Sequence, residues 1–482
     1  VAFGLGPDDK TPSDPLIWAT NQLNDIPEFS WKGKILPEKE LRNYYRDYVY
    51  GDRKVLRKKF KNDKEGYKRE KNKLRHATGQ KFWWNLELCI RYSEALKSET
   101  PVLAKLWYFW GNHFAISEKD FLAQYTTGAY QREIIRANMN QNFEKMAQEA
   151  TIGWSMIHHL DNEQNIGPKS QEAKWAREKG KTKGVNENHA RELLELHTVS
   201  PDCGYTQEDV IQMAYIMSGW RPKWGKKRLE TGDVHFNPDA HEPGTKIVLG
   251  KKYKRGRKSL SVAITDLVNH PSCRKFIAMK LCRYLITDNP TEEMMEPIIK
   301  AWEKSDGFLP EVHKAAIEVA FNYSDKYNKF QNPENWLLQM SKMADVDLIP
   351  SPAFMDLYKL GNKPIKDQRA LEYLMDELGQ HPYLAKQPNG WSDISEDWMS
   401  PELLIRRLVY AREAYYKKSG KSQTTEFYEE MIEKNYDNPS EILQIINQHK
   451  ELVHKHVILF NLPETLKSVS YTHLTLPTNR EV

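Results

Sequence analysis

Apolar residues recur at helical spacing over most of the chain. Phe82, Trp83, Leu86, Ile90 and Leu96 fall on one stripe, and Val102, Leu103, Leu106, Trp107, Trp110 and Phe114 form another behind the start signal Ser98-Glu-Thr-Pro101. Thr206-Gln-Glu-Asp209 has the form of a capping box with Asp in place of Glu, and Gly219 marks the stop of the helix that follows it. Residues 234–254, with Pro238, Pro243, Gly244 and the run Ile247-Val-Leu249, read as irregular loop with room for a small hairpin. Residues 163–186, Lys-rich and poor in apolar positions, read as an exposed insertion, while 385–400, with Gly390, Trp391 and Trp398, are too aromatic for a linker. No Gly/Ser linker or repeat divides the chain. The pattern therefore predicts one large, mainly α, multi-helical domain over residues 1–468.

Composition narrows the class. Of 482 residues 28% are charged, and no apolar run approaches the ~18 residues of a membrane span, so no integral membrane segment is expected. Fourteen Trp, 24 Tyr and 16 Phe argue against a disordered chain. The net charge of +5 comes from one stretch: Arg53 to Arg75 holds twelve Lys or Arg against three acidic residues, and the remainder is mildly acidic. Such a stretch is either a solvated helix face or an anion-binding patch. Only Phe60 and Tyr67 interleave the cations, so no nucleic-acid partner is expected. The four cysteines form no C-x-x-C pair and suggest no zinc site. Val469 to Val482 resembles the translated sequencing-adapter tail of truncated metagenomic reading frames and is set aside from the fold, and the chain opens on Val1, not Met.

The densest polar cluster is Asn186-Glu-Asn-His-Ala-Arg-Glu-Leu-Leu-Glu-Leu-His197. At about 100° per residue, Glu187, Asn188, Arg191, Glu192 and Glu195 share one helix face and His197 points away. Glu192 and Glu195, three apart, could work as general acid and base or hold a divalent metal, with His113 and His241 as the imidazoles nearest in character. A bland account also fits: Arg191 at ion-pair spacing from Glu187 and Glu195, and histidines hydrogen-bonded in a core. Phosphate-loop, Rossmann, nucleophile-elbow and H-E-x-x-H motifs are absent.

In order along the chain, Phe109-Trp-Gly-Asn-His-Phe114, Leu160-Asp-Asn162, the Asn186–Thr198 signature, Gly204-Tyr-Thr-Gln-Glu-Asp-Val210, His241-Glu-Pro-Gly-Thr-Lys-Ile-Val-Leu-Gly250, Lys280-Leu281 and Gly379-Gln380 resemble the motifs of the bacterial domain-of-unknown-function 1800 family. Glu242 stands where that family usually has Asp, Ser200 where it has Gly and Ser218 where it has Thr. The resemblance implies that Asn188, Arg191, Glu192 and Glu195 form a buried polar face partnered by His113, Tyr205, His241 and Lys246. It also implies a periplasmic or secreted protein. Two functions are expected. One is an enzyme, a metal-assisted hydrolase in its sharpest form, with Glu192, Glu195, His113 and His241 catalytic and Asn188, Arg191, Tyr205, Lys246 and Trp391 binding substrate. The other is a non-catalytic envelope protein that binds a polysaccharide or a co-encoded exported sulfatase-like partner.

Overall fold

A computed structural model describes residues 3–4, 10 and 12–411, apart from 78, 119–122, 225–230, 325, 327–328, 344–345, 353–354, 356–370, 405 and 408–409. The tail at 469–482 lies outside the described residues. The chain begins with α1 (Pro15–Thr20), α2 (Glu38–Arg46), α3 (Arg53–Lys59), α4 (Lys64–Ala77), α5 (Gln80–Leu96), α6 (Pro101–His113) and α7 (Thr127–Tyr130). It continues through α8 (Phe143–Ile152), α9 (Trp154–His159), α10 (Gln171–Glu178), α11 (Asn188–Glu192) and α12 (Gln207–Met217). After two hairpins come α13 (Lys258–Val268), α14 (Pro271–Leu285), α15 (Glu292–Ser305), α16 (Leu309–Asn322), α17 (Pro333–Met343) and a further helix at Leu371–Leu378.

Helix α6 starts on Pro101, where the missing N–H costs nothing. It is buried on nearly every side, as a core helix must be if its apolar residues run all round. Lys105 and Asn112 are its two positions that are not fully buried. Helix α5 is buried too, and with it three charges at i, i+4 and i+7. Glu87 pairs with Arg132 at 2.8 Å, Arg91 with Glu334 at 2.7 Å and Glu94 with Arg136 at 3.1 Å. Each pair is nearly dry, so the partners must satisfy one another. Helix α12 begins on the reciprocal Thr206/Asp209 capping box, and Gly219, at φ +89°, ends the turn after it.

The strands extend further than the sequence pattern indicates. β1 (Trp220–Trp224) pairs antiparallel with β2 (Thr231–Phe236), and β3 (Lys246–Val248) with β4 (Lys251–Tyr253). Pro222 hides β1, because proline cannot donate to a ladder; a two-stranded ribbon tolerates it since one edge of each strand is unpaired. The segment 163–186 is also more than an exposed insertion. It forms α10, seats Ala173 against Ile166 and Ala240, and is pinned by Glu172 to Arg221 at 2.5 Å. One contiguous apolar core otherwise runs from Phe3 to Ala411, and the protein is a single, mainly α domain. No described helix is long and apolar enough to cross a membrane.

Candidate functional site

The signature segment folds as α11 and continues as a π-helical turn, Leu193–His197. Its apolar side, with Ala190, Leu193, Leu194 and His197, is buried, while Arg191, Glu192 and Glu195 are half-buried. The buried polar face that the resemblance implies is therefore a partly wet one. Arg191 donates to Glu187 at 2.9 Å and to Gln207 at 2.8 Å, and Gln207 donates to Glu187 at 2.6 Å, closing a triangle. Asn188 uses its backbone N–H on the Asn186 side chain at 3.0 Å. Tyr205 donates to Glu195 at 3.2 Å. Burial, and then the neighbouring Glu195, raise the Glu192 carboxyl above the usual range; burial and Glu195 push the Tyr205 phenol up to about 12.

His241 belongs to a different place. Its Nδ1–H donates to the Ser218 carbonyl at 2.9 Å, leaving Nε2 to accept from the Lys246 ammonium at 3.2 Å and the Gly256 amide at 3.3 Å. Lys246 also donates to the Gly244 carbonyl at 3.0 Å, and burial lowers its ammonium to about 8 and His241 to about 4. This loop docks at the C-terminal end of α12, whereas Tyr205 precedes its N-terminus. At 1.5 Å per residue the helix separates the two by about 16 Å. The Glu242 carboxylate accepts the Lys169 amide at 2.8 Å, tying the loop to the 163–186 segment.

His113 stands in a third place, behind the signature. Its Nε2–H donates to the His197 carbonyl at 3.2 Å, and its Nδ1 accepts from the Lys280 ammonium at 3.0 Å. Burial and then Lys280 hold His113 well below the ordinary imidazole range, so it is neutral. Of the four partners the resemblance implies for the Glu192/Glu195 face, Tyr205 alone makes a hydrogen bond to it among the described residues. Likewise, no three His, Cys, Asp or Glu side chains among the described residues are arranged to hold a metal ion.

Asn112, the residue before His113, lines a polar cavity. Two adjoining spaces of about 40 Å³ and 20 Å³ share Tyr284, Asn332 and Asp393. Lys105, Tyr108 and Asn112 reach them from one face of α6, and the Arg91–Glu334 pair closes one end. The 385–400 segment covers them, held by hydrogen bonds to Asn112, His381 and Asp288 and by one bond within itself. Asn112 and Trp391 exchange hydrogen bonds at 2.7 and 2.8 Å. The Trp391 indole donates to the His381 carbonyl at 2.8 Å, and Trp398 donates to the Ser392 carbonyl at 2.9 Å. Asp288 accepts the Ser395 amide and hydroxyl, each at 3.0 Å, together with Lys329.

Inside, two groups lack acceptors or donors of their own. The Asp393 carboxylate makes no hydrogen bond among the described residues; burial raises it, while Lys280 and Lys329 pull it back. The Lys105 ammonium lies 5.2 Å over the Phe3 ring and 5.7 Å over Tyr284, and burial lowers it to about 8. Lys280 is lowered to about 8 as well, by burial against the opposing pull of Asp393. Sequence reasoning missed Lys105, Asp393 and Tyr284. The signal for the first was present: Lys105, Tyr108 and Asn112, at i, i+3 and i+7, are a polar line on an otherwise apolar helix.

Fold and cavity together define the class, a single-core helical protein with acid and base groups enclosed between α6, α14, α17 and a tryptophan-bearing loop. The model of the family described as protein of unknown function (DUF1800) matches residues 18–466, and the chain belongs to that family. No curated protein and no solved structure matches the chain. One departure from the family motif has a local consequence: Ser200 adopts φ +65° and ψ 163°, a conformation suited to the family's Gly.

Proposed function

We propose that the protein is an enzyme of acid–base type, hydrolytic, and that its reacting groups are Asp393 and Lys280. One observation carries the reading: the Asp393 carboxyl, raised by burial, lines the cavity, and it pulls on the Lys280 ammonium, which burial lowers to about 8. A raised carboxylate is a stronger base than an ordinary one, and a lowered ammonium a stronger acid. A space of about 40 Å³ holds two or three waters. Asp393 takes a proton from such a water as it attacks, and Lys280 gives one to the departing group. His113 is a positioning residue, fixing Lys280 through Nδ1. Trp391 is placed to bound the substrate, as the sequence suggests. Export, implied by the family resemblance, is part of the proposal and is checked by fractionating cells that express the native gene.

The test is turnover of chromogenic esters, glycosides and phosphoesters by the purified chain. Asp393→Asn and Lys280→Met should each lower kcat by ~100-fold or more. Activity that survives both variants but disappears in Glu192→Gln would move the site to the Glu192/Glu195 pair.

The non-catalytic reading is favoured by the closed Arg191–Glu187–Gln207 triangle, which is self-sufficient as structural glue. It loses a contact surface, because Trp398 is 5% exposed and Trp391 is committed to Asn112 and His381.

A further inference from the structure

Helix α6 delivers one amine to the cavity that hydrolysis leaves unused. Lys105 lines the space of about 40 Å³ together with Tyr284, Asn335 and Asp393. Its Nζ lies 5.2 Å over the Phe3 ring and 5.7 Å over Tyr284, and it makes no hydrogen bond or ion pair among the described residues. Glu334, the carboxylate that acts on it, is committed to Arg91 at 2.7 Å. The Tyr284 hydroxyl donates to the Lys105 carbonyl at 3.2 Å, which fixes the backbone that carries the amine. A desolvated amine without a counter-charge gives up its proton easily, and burial lowers this one to about 8. Asn335, 6% exposed, holds its Oδ1 buried without a donor. The cavity thus encloses a nucleophile, an acid and an open acceptor.

We propose that Lys105 forms an imine with a small aldehyde or ketone admitted to this cavity. The neutral amine adds to the carbonyl carbon, and Asp393 relays a proton from the nitrogen to the oxygen, leaving a carbinolamine. Asn335 Oδ1 accepts from the new hydroxyl. The protonated Asp393 carboxyl then gives its proton to that hydroxyl, which departs as water while the nitrogen lone pair closes the C=N bond. One carbonyl, one amine and one carboxylic acid become one iminium, one carboxylate and one water, so the cation is left in the same cavity as its counter-ion. A space of about 40 Å³ restricts the partner to a compact molecule. This chemistry needs Asp393 but neither Lys280 nor an attacking water, so it stands apart from hydrolysis.

The experiment incubates the full chain with glycolaldehyde or with hydroxyacetone and sodium cyanoborohydride near neutral pH, then locates the reduced adducts by peptide mass spectrometry. Lys105 should be labelled about tenfold or more faster than Lys54 and Lys58, which are exposed on α3. In Asp393→Asn the Lys105 adduct should form about tenfold or more slower, while Lys54 and Lys58 keep their rates. Labelling with both carbonyls supports a general site, and with one alone an aldehyde or a ketone site. An unlabelled Lys105, labelling no faster than at Lys54 and Lys58, or a rate unchanged in Asp393→Asn overturns the proposal. The unsubstituted protein decides the first two of these, so a misfolded variant cannot hide the answer. Adduct mass is read whether or not any chromogenic substrate turns over, which keeps a failure here separate from a failure of the hydrolytic reading.

Discussion

The Lys280 ammonium rests 3.0 Å from His113 Nδ1, and the other nitrogen of that ring is spent on the His197 carbonyl. A cation is thus held beside a neutral imidazole that has no second role open to it. Lys280→Met keeps the stem and removes the cost of burying the charge, so the melting temperature should hold or rise, by up to ~1 kcal/mol of stability, as hydrolysis is lost. Arg91→Met is the contrast. It strands the buried Glu334 carboxylate and should cost about 3–5 kcal/mol in urea unfolding. Equal losses from the two variants would show that Lys280 is part of the scaffold.

Acid should unfold the protein through its histidines. Burial lowers His189, His313 and His381 each to about 3, far below the value of an unfolded histidine. Below pH ~6.5 the unfolded chain takes up protons that the folded chain refuses, so stability falls as pH drops from there toward 3. Each group contributes about 1.4 kcal/mol per pH unit within that window. Urea titrations at pH 7, 6 and 5 read the slope. His189 has no hydrogen-bond partner on either ring nitrogen among the described residues, and His189→Leu should remove about one proton's worth of slope. An unchanged slope would contradict its burial as a neutral ring.

Ser200→Gly should stabilise. Serine at φ +65°, ψ 163° carries strain of about 1–3 kcal/mol, and among the described residues the only side-chain bond lost is a long one, from the Asp202 amide at 3.3 Å. A gain of about 1 kcal/mol in thermal or urea unfolding is expected; a loss would mean that the Asp202 contact outweighs the strain.

Gly390→Ala should loosen the cover of the cavity. Gly390 has φ +77°, and a Cβ there would stand 2.5 Å from the Asn112 carbonyl oxygen. The Asn112–Trp391 exchange should break, with faster proteolysis confined to 385–400 and a drop in kcat larger than the drop in global stability. Uniform destabilisation of the whole chain would argue against a local cover.

Glu192→Gln separates glue from chemistry. Its carboxyl is raised partly by Glu195, so removing one of the two like charges should leave the melting temperature unchanged or slightly higher. Arg191→Ala, on a half-exposed pair, should cost no more than ~1 kcal/mol. A sharp fall on Glu192→Gln would mark the signature face as structural.

The helical framework was legible because its signals are local: Pro101 at a first turn, the Thr206/Asp209 box and the stripe on α6 are all written within a few residues. β1 was hidden by Pro222, whose usual meaning changes only in a two-stranded ribbon. The site was half legible. Trp391 and His113 stood out by type and motif; Trp391 lines the cavity and His113 does not. Asp393 did not, and Lys280 stood in a family motif without showing as a site residue, because what distinguishes them is desolvation, and Lys280 and Asp393 lie more than a hundred residues apart in sequence. Helical periodicity correctly set Glu195 and His197 on opposite sides, yet it could not show that α12 stands between Glu195 and His241.

The charged face of α5 governs how this chain is assembled. Glu87 and Glu94 find partners 45 and 42 residues away, but Arg91 waits for Glu334, 243 residues downstream. During synthesis Arg91 on α5 has no counter-charge until α17 has emerged, since an early burial would leave its guanidinium with the neutral Gln131 Oε1, at 3.1 Å, and no carboxylate. Any chain that stops short of Glu334 is therefore left with an open, hydratable centre, and quality control would remove it as a fragment with no stable core.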